Sequence, residues 1–155
     1  MNKTFKILGG LVLIYIVVFS CNKIISNKIQ SDINNSPVIE TLDAKLEIEQ
    51  VASIMNSSLP KTIDEQTTVT KVEYLDKENK LVYNYQITGL KKGDKSEIEI
   101  ENIIQNLKVS QLNEIKNNPN NATFVKAKVT FEYIYKDVNS DLFCSYIIKP
   151  LEYIK

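Results

Sequence analysis

The stretch VKAKVTFEYIYKDVNSDLFCSYII (residues 125–148) reads as two alternating strands joined by a polar turn. Val125, Ala127, Val129, Phe131, Tyr133 and Tyr135 share one face of the first strand, while Lys126, Lys128, Thr130 and Glu132 share the other with Ile134. Successive side chains of a strand point to opposite sides, so a period of two marks a strand buried on one face. Residues 137–141 turn the chain. Leu142, Cys144, Tyr146 and Ile148 then alternate again until Pro150, which lacks a backbone N–H, stops the strand. Such a hairpin needs a cover for its apolar face.

The cover is read just upstream. Ser96 and Glu99 have the spacing of a capping box, and Ile100, Ile103, Ile104, Leu107, Leu112 and Ile115 follow at helical spacing to about Lys116. Val109 and Ser110 are where this helix could break, and residues 117–121 form a loop. Earlier, residues 67–76 and 81–88 predict another hairpin: Leu81, Tyr83, Tyr85 and Ile87 alternate with Val82, Asn84, Gln86 and Thr88. Leu42, Leu46, Val51, Ile54 and Met55 predict a first helix from about residue 38 or 41 to Ser57. Pro37 suits its first turn, and Leu59-Pro60 ends it. The order helix–hairpin–helix–hairpin predicts an α+β domain over residues 37–155, one antiparallel four-stranded sheet with helices packed on one face.

Residues 1–25 place that domain. Lys3 and Lys6 precede an uncharged run over residues 7–21, and Asn22 and Lys23 follow it. A basic flank before an apolar run is an insertion or export signal, and counting from Phe5 to Ile25 reaches the ~20 residues that a bilayer span needs. Two readings compete. In one the segment is an uncleaved signal anchor. In the other, Val18-Phe19-Ser20-Cys21 is a lipoprotein cleavage box and Cys21 becomes the lipidated N-terminus. The bulk of Phe19 favours the anchor. Residues 26–36, rich in Asn, Ser and Lys, read as a spacer. The expected location is a bacterial membrane, with the domain on its extracytoplasmic side, periplasmic or at the cell surface.

Composition removes several chemistries. The 155 residues include no His, no Arg and no Trp. Without His, the commonest general base and zinc ligand are missing; without Arg, so is the bidentate clamp for phosphate. Four glycines, two of them in the apolar run, leave nothing from which to build a phosphate-binding loop. Setting aside Lys3, Lys6 and Lys23, 16 lysines face 19 acids, which leaves no basic footprint for nucleic acid. Cys144 is the domain's one cysteine and fits a small core residue. No catalytic residue, metal site or cofactor is expected. Asp94, Glu97, Glu99 and Glu101 could attract a hard cation, but their spacing matches no calcium loop, and placement at a positive helix end accounts for them.

The chain resembles a loose group of small bacterial envelope proteins. The resemblance rests on Asn56-Ser57-Ser58-Leu59-Pro60, Asp64 and Thr67, on Tyr83-Asn84-Tyr85, and on Tyr133-Ile134-Tyr135 with Asp137. It implies an N-terminal membrane segment, this α+β order and an envelope location, and it implies no activity. Members often carry a cysteine after the second helix and another near the C-terminus; this chain has neither at the expected places, which puts that disulfide out of reach.

Asn56, Asp64, Thr67, Tyr83 and Tyr85, with Tyr133 and Tyr135, are the candidate partner or ligand surface. The competing reading makes them structural: Asn56 caps a helix, Asp64 and Thr67 bond local backbone, and the tyrosines pack their rings. The function expected is a membrane-tethered, non-catalytic domain that binds a protein partner, either an assembly factor or a toxin that it neutralises. A carrier of a small apolar ligand or lipid is the first alternative. An enzyme working through carboxylate and tyrosine chemistry is the second.

Overall fold

The computed structural model describes residues 37–154, with side chains from residue 44 onward. The expected signal segment, the spacer and Cys21 lie outside the described residues. The elements run α1 (Pro37–Ser57), β1 (Lys61–Asp64), β2 (Thr67–Leu75), β3 (Lys80–Ile87), α2 (Glu97–Asn117), α3 (Ala122–Lys126), β4 (Thr130–Lys136), β5 (Leu142–Ile148) and α4 (Pro150–Tyr153). Helix, hairpin, helix and hairpin follow one another as expected. Among the described residues no helix is long and apolar enough to cross a membrane.

The sheet differs from the expectation in two ways. It has five strands in the order β1-β2-β3-β4-β5, not four. The added strand, β1, is four residues long and pairs antiparallel with β2 through Lys61–Val69 and Thr62–Thr68. It is too short to show a period of two. The sheet is also mixed rather than antiparallel, because β3 and β4 run parallel, with Tyr83 opposite Tyr133 and Tyr85 opposite Tyr135. Parallel neighbours need a long crossover, and α2 with α3 supplies it by returning the chain to the end where β3 began.

The long strand expected from Val125 is shorter. Val125 and Ala127 lie in and after α3, and β4 starts at Thr130. Lys128 takes a left-handed φ of 55°, which interrupts any extended run. Phe124 turns inward from α3 and meets Phe131 edge to face, with ring centroids 6.0 Å apart. Helix α2 continues unbroken past Val109, which faces outward. Its capping box is formed on both sides: Ser96 Oγ accepts from Glu99 N–H at 3.3 Å, and Ser96 N–H donates to Glu99 Oε2 at 2.9 Å.

The helices lie on one face, α1 over β2 and α2 over β5. Beneath them the core joins Ile48, Val51, Ala52 and Met55 of α1 to Val69, Val72, Leu81, Phe131 and Ile148 of the sheet, with Ile115, Phe124 and Tyr153 from the other helices. Its centre is a layer of tyrosines. Tyr83 stacks on Tyr133 at 5.4 Å, Tyr85 on Tyr135 at 4.6 Å, and Tyr133 on Tyr146 at 5.0 Å. Tyr153 Oη donates to Val129 O at 2.5 Å and so pins α4 against the start of β4.

Candidate functional site

Asn56, Asp64 and Thr67, read from the sequence as candidates, hold the scaffold together. At the end of α1, Asn56 Oδ1 accepts from Val72 N–H at 2.9 Å, and its Nδ2 donates to Val72 O. β1 pairs with β2 only from Val69 back to Thr67, so the Asn56 carboxamide takes the place of a strand partner where β1 is missing. Leu59-Pro60 carries the chain from helix to strand through a cis peptide. Asp64 Oδ1 accepts from Gln66 N–H at 2.8 Å in the β1–β2 turn, and Thr67 is buried at the start of β2. Asn56 and Thr67 meet β2 five residues apart, about 16 Å along the strand, so the candidates do not gather into one cluster.

The four tyrosines are a correction to the expected surface. Tyr83, Tyr85, Tyr133 and Tyr135 all lie in the core beneath the helices, with Tyr85 only 2% exposed. The alternation that marks them as one face does not say which face the helices cover. Burial pushes the phenols of Tyr83, Tyr85, Tyr133 and Tyr135 well above the usual tyrosine range. Tyr85 Oη is buried without a hydrogen-bond partner. Burial likewise pushes the Cys144 thiol up to about 12, so it stays protonated at neutral pH.

Asp137, the last motif residue, is 2% exposed and organises the β4–β5 turn. Its Oδ2 accepts from Lys92 N–H at 3.0 Å; its Oδ1 accepts from Asn139 N–H at 2.8 Å and Asp141 N–H at 3.1 Å. Gln86 Nε2 donates to its carbonyl. The Lys92 N–H, helped by those of Asn139 and Asp141, holds the carboxyl below the usual range against the opposing effect of burial.

With the tyrosine face covered, the opposite face of the sheet is what remains. Strand register places Glu73, Val82, Glu132 and Ile147 in one row across it, and Lys71, Asn84, Ile134 and Ser145 in the next. Val82 is 7% exposed yet stands outside the main core cluster, as its position on this other face requires. Ile147 is 39% exposed, and Ile134 is half-buried beside it. Ion pairs frame these aliphatic side chains: Lys71–Glu73 at 2.7 Å, and Lys80 with Glu78 at 2.6 Å and with Glu132 at 3.1 Å. Alternation along β4 puts Glu132 and Ile134 on one face; it does not say which face the helices cover.

The two edges of the sheet differ. β1 is short and carries a register shift between Thr62 and Asp64, a common way to blunt an edge. β5 has seven residues, contains neither Lys nor Pro, and among the described residues pairs only with β4. Leu142 and Ile147 stand exposed along it. An edge of this kind offers a row of backbone donors and acceptors to an added strand.

Three solved structures share the fold, each at 9% identity. A pilotin, EpsS, of the Vibrio vulnificus type 2 secretion system matches with a TM-score of 0.56, over 75% of this chain and 96% of that one. A Pseudomonas aeruginosa protein described as secreted matches at 0.58, over 77% and 98%. The type II secretion system pilotin AspS of Vibrio cholerae matches at 0.53, over 76% and 99%. No curated protein matches the chain in sequence. A family model described as a domain of unknown function (DUF8479) matches residues 41–143, and the chain belongs to that family.

Proposed function

We propose that this protein is a non-catalytic envelope domain, tethered by residues 1–25, that captures a protein partner at the β5 edge and the bare face beside it. The observation that carries this reading is the unblunted β5 edge next to Val82, Ile134 and Ile147 on a face that no helix among the described residues covers. A partner strand would bond to the β5 backbone and lay alternate side chains on that aliphatic patch. Two of the proteins with a similar fold are pilotins of type II secretion systems, which makes a partner in an envelope assembly the nearest precedent.

A non-catalytic role accords with the chemistry at hand. The core phenols and the Cys144 thiol hold their protons at neutral pH, and the Asp137 carboxylate is engaged by three backbone N–H groups. The test is in-cell crosslinking of the full chain, purification from membranes, and mass spectrometry of what is attached. One dominant partner is expected, and it should be lost in Ile147→Lys and in Ser145→Pro, which removes an edge N–H. A partner retained by both variants, or none above background, would contradict the reading.

A further inference from the structure

One end of the domain collects features that the partner-binding edge does not use. Helix α1 runs antiparallel to β2: Asn56 meets Val72, and Lys45 Nζ pairs with Asp76 Oδ1 at 2.9 Å in the β2–β3 turn. The eight helical steps from Lys45 back to Pro37 therefore carry the start of α1 about 12 Å past that turn. All of the chain that precedes the domain, including the uncharged run over residues 7–21, joins it at this end.

The same end holds the start of β4 and the end of β5. Asn79 Nδ2 donates to Ala127 O at 2.9 Å, and Ile148 stands opposite Phe131. Helix α4 follows, and its Leu151 is 93% exposed, the most exposed large apolar side chain among the described residues. Ile154 is partly exposed beside it. The acids here are paired from alongside: Asp76 with Lys45, Glu78 with Lys80, and Glu152 with Lys108. Lys77, Lys128 and Lys149 are exposed among them. At the opposite end Asp64, Glu65, Asp94, Glu97, Glu99, Glu101 and Asp141 stand with Lys61, Lys91, Lys92, Lys95 and Lys136, so that acids outnumber lysines there.

We propose that this end rests on an anionic bilayer surface, with Leu151 inserted among the acyl chains and Lys77, Lys128 and Lys149 over the headgroups. The inference rests on the tethered reading above. An apolar side chain on the same end as exposed lysines is a combination that holds a peripheral contact: apolar burial adds to attraction by an anionic surface, and lysines near that surface act together. The contact would lean the domain onto its tether end and leave the face beyond it turned toward the compartment.

The chain lacks Trp, so Leu151→Trp installs one fluorophore at an exposed site. Val138→Trp, in the β4–β5 turn at the opposite end, is the control. The full-length chain is reconstituted into phosphatidylcholine vesicles with and without phosphatidylglycerol, and flotation records whether it is bound. In the anionic vesicles the Leu151→Trp emission is expected to shift to the blue and to be quenched by brominated lipid. Val138→Trp should report water, and adding Lys128→Glu and Lys149→Glu should abolish the shift. A chain that floats with the vesicles while Leu151→Trp stays water-like and unquenched overturns the contact and spares the tether. A chain that fails to float overturns both.

Discussion

Asn56 is the side chain on which the join between helix and sheet depends. It is fixed by both polar atoms of its carboxamide to the backbone of one residue, Val72, where β2 has lost its strand partner. Asn56→Ala should therefore cost about 1–3 kcal/mol, the penalty for leaving part-buried backbone groups unpaired. Asn56→Asp should cost at least as much, because a carboxylate cannot donate to Val72 O. Urea denaturation of both variants measures the loss, and an unchanged midpoint would contradict it. Tyr85 behaves in the opposite sense. Its ring stacks on Tyr135 at 4.6 Å, but its hydroxyl is buried without a partner. Tyr85→Phe keeps the stack and removes the orphan, so stability should hold or rise, by up to about 3 kcal/mol on the same denaturation curve. The sequence singles out Asn56 and Tyr85 only as candidates for a partner or ligand surface. It could not show their roles, because the partner of Asn56 lies sixteen residues away and the cover over Tyr85 comes from other elements.

Elements were legible where their signals are local. Helix α2 begins where the Ser96–Glu99 spacing says it should, and that cap carries a pH prediction. The Ser96 N–H first, then Lys95 and the Ser96 hydroxyl, hold the Glu99 carboxyl at about 2. A folded value below the ordinary one, about 4.3, means that the cap contributes fully above the ordinary value and loses its contribution as pH falls toward 2. Thermal melts of the protein and of Glu99→Gln should differ most near neutral pH, with the gap closing between about pH 5 and pH 2. A constant gap across that range would contradict the assignment. Elements set by distant contacts leave no such local mark. β1 is too short for periodicity. Val125, Ala127 and Val129 mimic a strand although two of them belong to a helical turn and its end. The parallel pairing of β3 with β4 is set by how α2 and α3 return the chain, not by any residue within the strands.

Among the described residues the molecule is a sheet with one face closed by helices and one left bare, and the first residues of the chain read as a membrane segment. Fold class and element order were legible because amphipathic alternation and helical spacing are written along the chain. Which face would be covered was not, since both faces of β3 and β4 carry apolar side chains: tyrosines on one, Val82 and Ile134 on the other. That single fact moves the candidate surface from the tyrosines to the β5 edge. Site-specific photo-crosslinking in cells tests it most directly, with the crosslinking residue placed in turn at Ser145 on β5 and at Gln50 on the outer side of α1. The account predicts one dominant adduct from Ser145 and none of that mass from Gln50. The same adduct from both positions, or from Gln50 alone, would contradict it.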